Sequence, residues 1–295
     1  MKLPLWKMRM EERAAYSMIL PAMLLVAALG IYPLLETVKL GFYDFSLLSG
    51  DKNFVGLKNY QAILSDPLFR QSVKQTVYFM VCSIGLQMIL GVGAAMLLNQ
   101  EFRGRGFVRA LVFLPWAVPT IVNANTWNWI YHASYGALNR LLLKMGLIDG
   151  PVIWLGKTDT ALNMIILADT WRVLPLYIVL LLAALQTVDP VLIEAAKIDG
   201  ANSWNRFRNV HLPTLQPTMI VLLVMRTIQT FRVFDIIYVM TQGGPNNGTM
   251  VVSFYGYYQS FKYLNWGYGS AVSIVISLTV LLLSIVFLRI ISRDD

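Results

Sequence analysis

Residues 194–217 read EAAKIDGANSWNRFRNVHLPTLQP, a polar and basic stretch that separates two long apolar segments. The apolar segments, at about 162–186 and 216–240, are each long enough to cross a hydrocarbon core about 30 Å thick. The stretch between them is too polar to lie in lipid, so it is predicted to form a short helical element in water between two membrane helices. No nucleophile–base pair or set of metal ligands accompanies it, and this pattern favours docking to a soluble partner over catalysis.

The composition extends the membrane interpretation to the whole chain. Hydrophobic residues make up 57% of the sequence and charged residues 14%, whereas soluble domains are about a quarter charged. Six apolar segments of membrane-spanning length occur at about 14–39, 73–98, 107–131, 162–186, 216–240 and 268–290. We therefore predict an all-α integral membrane protein with six transmembrane helices, in which residues 1–295 form a single domain with no room for a soluble catalytic one.

The net charge of +8 is distributed as a membrane topology requires, which argues against a nucleic-acid partner. One side of the predicted membrane carries twelve basic residues: Lys2, Lys7, Arg9, Arg13, Arg103, Arg105, Arg109, Lys197, Arg206, Arg208, Arg289 and Arg293. The other side carries seven, spread over longer loops: Lys52, Lys58, Arg70, Arg140, Lys144, Lys157 and Lys262. The positive-inside rule thus places both termini and the loop 187–215 in the cytoplasm.

The opening stretch also has residues at spacings that resemble the EAA loop of permease subunits in binding-protein-dependent ABC importers. The positions that match are Glu194, Ala195, Ala196, Asp199, Gly200, Ala201, Phe207, Leu212, Pro213 and Pro217. Four further segments resemble the carbohydrate-uptake branch of these permeases, the group of the maltose and glycerol-3-phosphate importers: Phe54–Tyr60, Leu64–Pro67, Phe113–Trp116 and Thr241–Pro245. The chain departs from the maltose permease in lacking a large inserted outer domain and two extra N-terminal spans.

The resemblance implies a type I ABC importer permease fold in a bacterial or archaeal plasma (inner) membrane. It implies a second, related permease subunit, two copies of a cytoplasmic ATPase and an extracytoplasmic solute-binding protein that delivers a sugar. It also implies that ATP and Mg²⁺ bind to the ATPase, so this chain needs no cofactor and is not an enzyme.

Within the loop 187–215, a helix is predicted over Val191–Ala201. Glu194 and Ile198 share one of its faces, and Gly200 suits its C-terminus, where a positive φ is needed. Leu212-Pro213 predicts an extended exit before the fifth span. The resemblance implies that five residues enter the cleft of the ATPase subunit as a coupling helix: Glu194, Ala195, Ala196, Asp199 and Gly200. The alternative is an ordinary amphipathic interfacial helix.

Ionisable residues inside the spans are candidates for a substrate pathway. Asp169 and Arg172 lie on the fourth span, and Arg226 lies near the middle of the fifth, with Thr230 one turn away on the same face. A charge at mid-bilayer costs about 2.5–3.5 kcal/mol on insertion scales, so such groups normally face the bundle interior or a water-filled cavity. The four side chains would offer hydrogen bonds to a polyol; the alternative for Asp169 and Arg172 is local pairing within one helix.

Three other groups receive weaker interpretations. Arg232 and Asp235, three residues apart near the outer interface, are predicted to form a structural ion pair. Asn125 and Trp127, at the outer end of the third span, are minor pathway candidates, because tryptophans at that depth are usually interfacial anchors. Pro115 and Pro119 predict kinks in the third span.

Several patterns that suggest other chemistry do not hold. Gly150–Thr158 resembles a phosphate loop but has the wrong glycine spacing and no preceding strand. His132 and His211 lie on opposite sides of the predicted membrane and cannot share a metal, and Cys82 is the only cysteine, so no internal disulfide is possible.

Three functional classes therefore compete. An ABC importer permease for mono- or oligosaccharides accounts for the EAA-like loop. An ion-coupled secondary transporter of a polar solute is disfavoured, since no internal repeat is visible. A membrane-embedded enzyme would need a catalytic cluster, and Asp169 with Arg172 is too little for one.

Overall fold

The computed structural model describes residues 10–291, so the prediction for Lys2, Lys7, Arg9 and Arg293 lies outside the described residues, as does the side chain of Arg13. Helices dominate the described range. They are α1 (Met10–Val26), α2 (Tyr32–Leu40), α3 (Lys58–Ser65), α4 (Pro67–Asn99), α5 (Arg105–Phe113), α6 (Thr120–Ile130), α7 (Ala137–Lys144), α8 (Thr158–Leu185), α9 (Pro190–Ile198), α10 (Ser203–Arg206), α11 (Leu212–Thr230), α12 (Asp235–Met240), α13 (Val252–Tyr257) and α14 (Trp266–Ile291). The strands β1 (Tyr43–Phe45) and β2 (Lys52–Phe54) form one antiparallel hairpin.

The described residues fall into two compact units. The first comprises the described residues up to Ser65 together with Gly256–Ser277, and the second comprises Asp66–Tyr255 and the described residues from Leu278. In the first unit a π-helical turn, Ala27–Ile31, joins α1 to α2 without a break, as the first predicted span requires. The β-hairpin follows, with Tyr43 opposite Phe54 and their rings 5.4 Å apart.

The second unit is built on α4 and α8, which run parallel along one another. Asp66 caps α4 by accepting hydrogen bonds from the backbone of Leu68 (2.7 Å) and Phe69 (3.3 Å). Gly91 of α4 lies so close to Tyr177 of α8 that a Cβ there would be 2.9 Å from the Tyr177 Cβ. A core of buried apolar side chains fills the space between these helices and α11: Ala95, Leu98, Val173, Tyr177, Ile178, Leu181, Leu182, Leu185, Leu215 and Leu222.

Four helical stretches of the described residues are long and apolar enough to cross a membrane: Ala14–Leu40, Pro67–Asn99, Thr158–Leu185 and Trp266–Phe287. A fifth crossing results if the bent pair Arg105–Ala117 and Thr120–Ile130 counts as one span. The sequence predicts six. The predicted fifth span is the one that is missing from these stretches. Its helix α11 carries Gln216, Arg226, Gln229 and four threonines, which lower its hydropathy.

The third predicted span is broken rather than continuous. After α5 a 3₁₀ turn, Leu114–Ala117, leads to extended backbone at Val118 and Pro119, and α6 then departs at 99°. The predicted kink is confirmed in a stronger form, since Pro115 and Pro119 together remove two backbone donors within five residues.

The fifth predicted span, 216–240, is also not one helix. It begins earlier, with α11 at Leu212, and it is interrupted at 231–234 before α12. Neither Pro nor Gly occurs at 231–234, so the local sequence offered no signal for this break. The interruption places Arg232 between the two helices and Asp235 at the first residue of α12, so they do not lie along one helix face.

Candidate functional site

The loop between α8 and α11 contains α9, whose two ends are closed by the sequence itself. The Asp189 carboxylate accepts a hydrogen bond from the Val191 N–H at 2.9 Å, and Pro190 occupies the first helical turn. At the other end Gly200 has φ +76°, and the Ala201 N–H donates to the Ala196 carbonyl at 2.9 Å. These are the bonds of a Schellman motif, so the predicted helix and the predicted role of Gly200 are confirmed, although the helix ends at Ile198.

The outward face of α9 is open to solvent. Glu194, Ala195, Asp199 and Gly200 are exposed, while Ala196 is half-buried. Glu194 forms no ion pair within residues 10–291. Large apolar side chains surround these positions with high exposure: Val191 (65%), Leu192 (56%), Ile198 (86%) and Trp204 (66%).

We call Val191, Glu194, Ala195, Ile198 and Trp204 the docking surface. Large apolar side chains exposed beside polar groups often mark an interaction site, so these residues are a candidate contact surface for another molecule. The sequence prediction missed Trp204. A tryptophan in an otherwise hydrophilic loop was the available signal.

The exit from this loop differs from the prediction. α10 passes through a π-helical turn, Phe207–His211, directly into α11, so the predicted extended exit at Leu212-Pro213 is wrong. The π turn makes room for the proline, because its wider hydrogen-bond ring leaves a carbonyl free where Pro213 has no N–H to donate. Arg206 stiffens the turn by donating to the Ala201 carbonyl at 2.7 Å.

A cavity of about 560 Å³ lies between α8, α11, α12 and the broken third span. Its lining is rich in polar and charged side chains: Trp116, Thr120, Asp169, Arg172, Arg226, Gln229, Arg232 and Asp235, with apolar neighbours. Asp169 forms an ion pair across the helices with Arg226, and a second one with Arg172 at 3.6 Å. Asp169 and Arg226 are only 2% and 4% exposed. The structure thus brings together three of the six predicted pathway residues.

Asp169, Arg172 and Arg226 together carry a net formal charge of one positive unit. Gln229 accepts from the Arg226 Nη1 at 3.5 Å, but the buried Nε donors of Arg172 and Arg226 have no partner among the described residues. Buried guanidinium N–H groups without partners are costly. The guanidinium groups at the cavity lining can form strong, charge-assisted hydrogen bonds to a polar ligand.

The predicted structural ion pair between Arg232 and Asp235 is wrong. Within the described part of the chain the two side chains form no ion pair, and both are exposed at the cavity lining. The helix break at 231–234 explains the difference, because the i, i+3 spacing brings side chains together only within a continuous helix.

The other three predicted pathway residues are not among those that line the cavity. The Thr230 hydroxyl donates to the Thr227 carbonyl of its own helix at 2.8 Å. Asn125 is exposed and donates to the Ile121 carbonyl at 3.1 Å. Trp127 packs against two aromatic rings, those of Tyr131 (5.1 Å) and Trp171 (6.0 Å).

Besides Arg232 and Asp235, the lining includes one tryptophan and two polar residues that the sequence analysis did not name as candidates, namely Trp116, Thr120 and Gln229. The break between Pro115 and Pro119 turns the chain there, so that residues from both halves of the third span reach the lining. Gln229 had a usable signal, since it lies three residues from Arg226 on the same helix.

Residues 87–294 match the family described as the binding-protein-dependent transport system inner membrane component. The chain is 43% identical over 283 residues to the trehalose/maltose transport system permease protein MalF of Thermococcus litoralis, covering 95% of this chain and 94% of that one. It is 33% identical to the sulfoquinovosyl glycerol transport system permease protein SmoG of Agrobacterium fabrum, covering 100% and 96%.

A solved structure shares the fold. It is that of a bacterial ABC transporter involved in the import of the acidic polysaccharide alginate, and it aligns with a TM-score of 0.85 at 22% identity, covering 98% of both chains.

Proposed function

Because the chain belongs to the family of binding-protein-dependent transport system inner membrane components, we propose that it forms half of the translocation pathway of an ATP-driven sugar importer. It is a permease subunit and not an enzyme. The observation that carries the proposal is the capped, exposed helix α9, held between α8 and α11, the two membrane helices that the Asp169–Arg226 pair joins.

The partners follow from the same family. A second homologous permease completes the pathway, two copies of a cytoplasmic ATPase supply the energy, and an extracytoplasmic solute-binding protein delivers the sugar. ATP and Mg²⁺ bind to the ATPase and no cofactor is needed on this chain. We place the chain in a bacterial or archaeal inner membrane with both termini and α9 in the cytoplasm, because basic residues are more frequent on that side.

The docking surface is where this chain contacts the ATPase subunits. Binding of ATP closes the ATPase subunits around α9, and α9 transmits that movement to the two helices on either side. Because Asp169 and Arg226 link those helices at the cavity, their movement changes the access to the cavity. Closure opens it towards the loaded binding protein, and release after hydrolysis opens it towards the cytoplasm.

The cavity fits a sugar in size and chemistry. Small-molecule sites in proteins measure about 300–1,000 Å³ and contain a few convergent polar groups, and this one measures about 560 Å³. The guanidinium groups of Arg172 and Arg226 line the cavity and suit hydroxyl oxygens, and Trp116 offers an aromatic face for a sugar ring. A disaccharide is the favoured substrate, since MalF of T. litoralis is a trehalose/maltose permease protein.

Replacing Trp116 tests the cavity assignment. Trp116→Ala is expected to raise the sugar concentration for half-maximal uptake about two- to tenfold, because an aromatic contact worth about 0.5–1.5 kcal/mol is lost. Trp129→Ala is the matched control, since Trp129 is 70% exposed and does not line the cavity. Uptake of radiolabelled disaccharide by vesicles with the complete importer measures both. Equal effects of the two substitutions would contradict a sugar contact at Trp116.

Reconstitution tests the functional class. Vesicles with this chain, the second permease and the ATPase are expected to take up sugar only when ATP inside and binding protein outside are both present. Uptake by this chain alone, driven by a proton or sodium gradient without nucleotide, would instead establish the ion-coupled transporter.

A further inference from the structure

A second cavity, of about 230 Å³, lies where the C-terminal parts of α4 and α8 meet the second half of α5. Eight residues line it, and all are apolar except Arg109 and Gln186. Two of the apolar ones, Val179 and Ala183, lie one turn apart on α8 and are exposed. The groove therefore opens on the outer side of α8, which is the side that faces lipid or a neighbouring subunit.

Arg109 at the edge of this groove is only partly used by the fold. Its Nη2 donates to the Leu98 carbonyl at 2.9 Å, a carbonyl in the last turn of α4 that has no helical partner. Its Nε is buried without a partner among the described residues. No ion pair joins Arg109 to an acidic side chain among the described residues, so none of them compensates its charge.

More positive charge surrounds this edge. The segment from the end of α4 to the first residue of α5 contains two arginines, Arg103 and Arg105, and one acidic residue, Glu101. Gly104 turns the chain there with φ +86° and α5 begins at Arg105, so Arg105 and Arg109 lie one turn apart on the same helix. By the orientation proposed above, this basic edge lies at the cytoplasmic surface of the membrane, with the apolar groove beside it.

We propose that this groove holds one anionic phospholipid of the cytoplasmic leaflet, with its phosphate at Arg109 and one acyl chain along Val179 and Ala183. A guanidinium forms charge-assisted hydrogen bonds to a phosphate. The anionic lipids of the cytoplasmic leaflet attract basic residues that lie near the membrane surface. Because the side chains that line the groove are mostly apolar, its ligand needs a hydrocarbon chain. A lipid has such a chain and free phosphate does not. The proposal goes beyond sugar transport and rests only on the membrane location and orientation.

The position of the lipid gives it a regulatory consequence. It contacts the ends of α4, α5 and α8 together, and Gln186 at the groove lies four residues before Pro190, the start of α9. An occupied groove stabilises the base from which α9 extends. ATP hydrolysis by the assembled importer is therefore expected to depend on anionic lipid.

The experiment compares the complete importer with phosphatidylglycerol and with phosphatidylcholine, counting bound lipids on the intact complex by native mass spectrometry. The wild type is expected to retain one phosphatidylglycerol per copy of this chain and to prefer it over phosphatidylcholine. Arg109→Gln should raise the phosphatidylglycerol concentration for half-occupancy at least about tenfold, the loss of about 1.4 kcal/mol of binding. Ala183→Phe should abolish binding with the charge intact, because the larger side chain fills the groove.

Arg140→Gln, an exposed arginine of the predicted outer side, is the matched control and should bind lipid like the wild type. If Arg109→Gln fails to assemble, Ala183→Phe alone decides the result. Equal binding of both lipids by the wild type, undiminished binding by Ala183→Phe, or equally tight binding of glycerol phosphate without acyl chains would each overturn the proposal. None of these results bears on sugar uptake, so the proposed function is tested separately.

Discussion

Glu194→Lys is expected to abolish sugar uptake by the assembled importer while the chain still folds and inserts. Glu194 is exposed on α9, forms no ion pair among the described residues and lies outside the spans, so reversing its charge removes no contact within the chain. Such surface substitutions usually change stability by less than about 0.5 kcal/mol. A reversed charge in a closely fitted docking surface, in contrast, costs several kcal/mol of binding.

Three measurements separate these effects: the amount of protein in the membrane, co-purification of the ATPase, and stimulation of ATP hydrolysis by loaded binding protein. The first should match the wild type, and either the second or the third should be lost. Glu101→Lys is the matched control, an equally exposed acidic residue in the other predicted cytoplasmic loop, and it should retain transport. A Glu194→Lys importer that hydrolyses ATP and transports sugar normally would remove α9 from the coupling path.

The sequence predicts α9 well because every signal there is local. Gly200 is the residue that tolerates a positive φ at a helix end. The prediction does not use Asp189 and Pro190, the cap and the first-turn proline, and therefore begins the helix one residue late, at Val191. Lengths of apolar sequence likewise locate the helices at Ala14–Leu40 and Thr158–Leu185, since bilayer thickness sets the length of a span.

The features that the sequence does not predict depend on contacts between helices. The break at 231–234 contains no proline or glycine from which it could be predicted. Because of the break, Arg232 and Asp235 line the cavity instead of sharing one helix face. Arg226 has no acidic neighbour on its own helix, and its partner Asp169 lies 57 positions away on α8. Periodicity describes one helix at a time, so it cannot pair residues of two.

That pairing changes what substitution of Arg226 should do. Asp169→Asn alone is expected to destabilise the chain by about 3–5 kcal/mol, because it leaves the buried Arg226 charge without its counter-ion. Arg226→Ala should be destabilising for the reciprocal reason, though less so, since Arg172 still lies 3.6 Å from the Asp169 carboxylate. Thermal unfolding of the purified complex in detergent measures both. Arg232→Gln should be nearly neutral, because Arg232 is exposed at the same cavity and forms no ion pair with any residue that the structure describes.

The double variant Asp169→Leu with Arg226→Met distinguishes support of the fold from contact with sugar. Replacing both members of a buried ion pair by apolar side chains is often neutral or stabilising, so this variant should regain most of the lost stability. On the proposed sugar-binding role of the cavity it should not regain uptake, because the lining then lacks one carboxylate and one guanidinium, and a polar ligand would be desolvated without compensation. If the double variant recovers both stability and uptake, the Asp169–Arg226 pair only supports the fold and does not contact sugar. Full stability of Asp169→Asn would show that the pair does not form in the membrane.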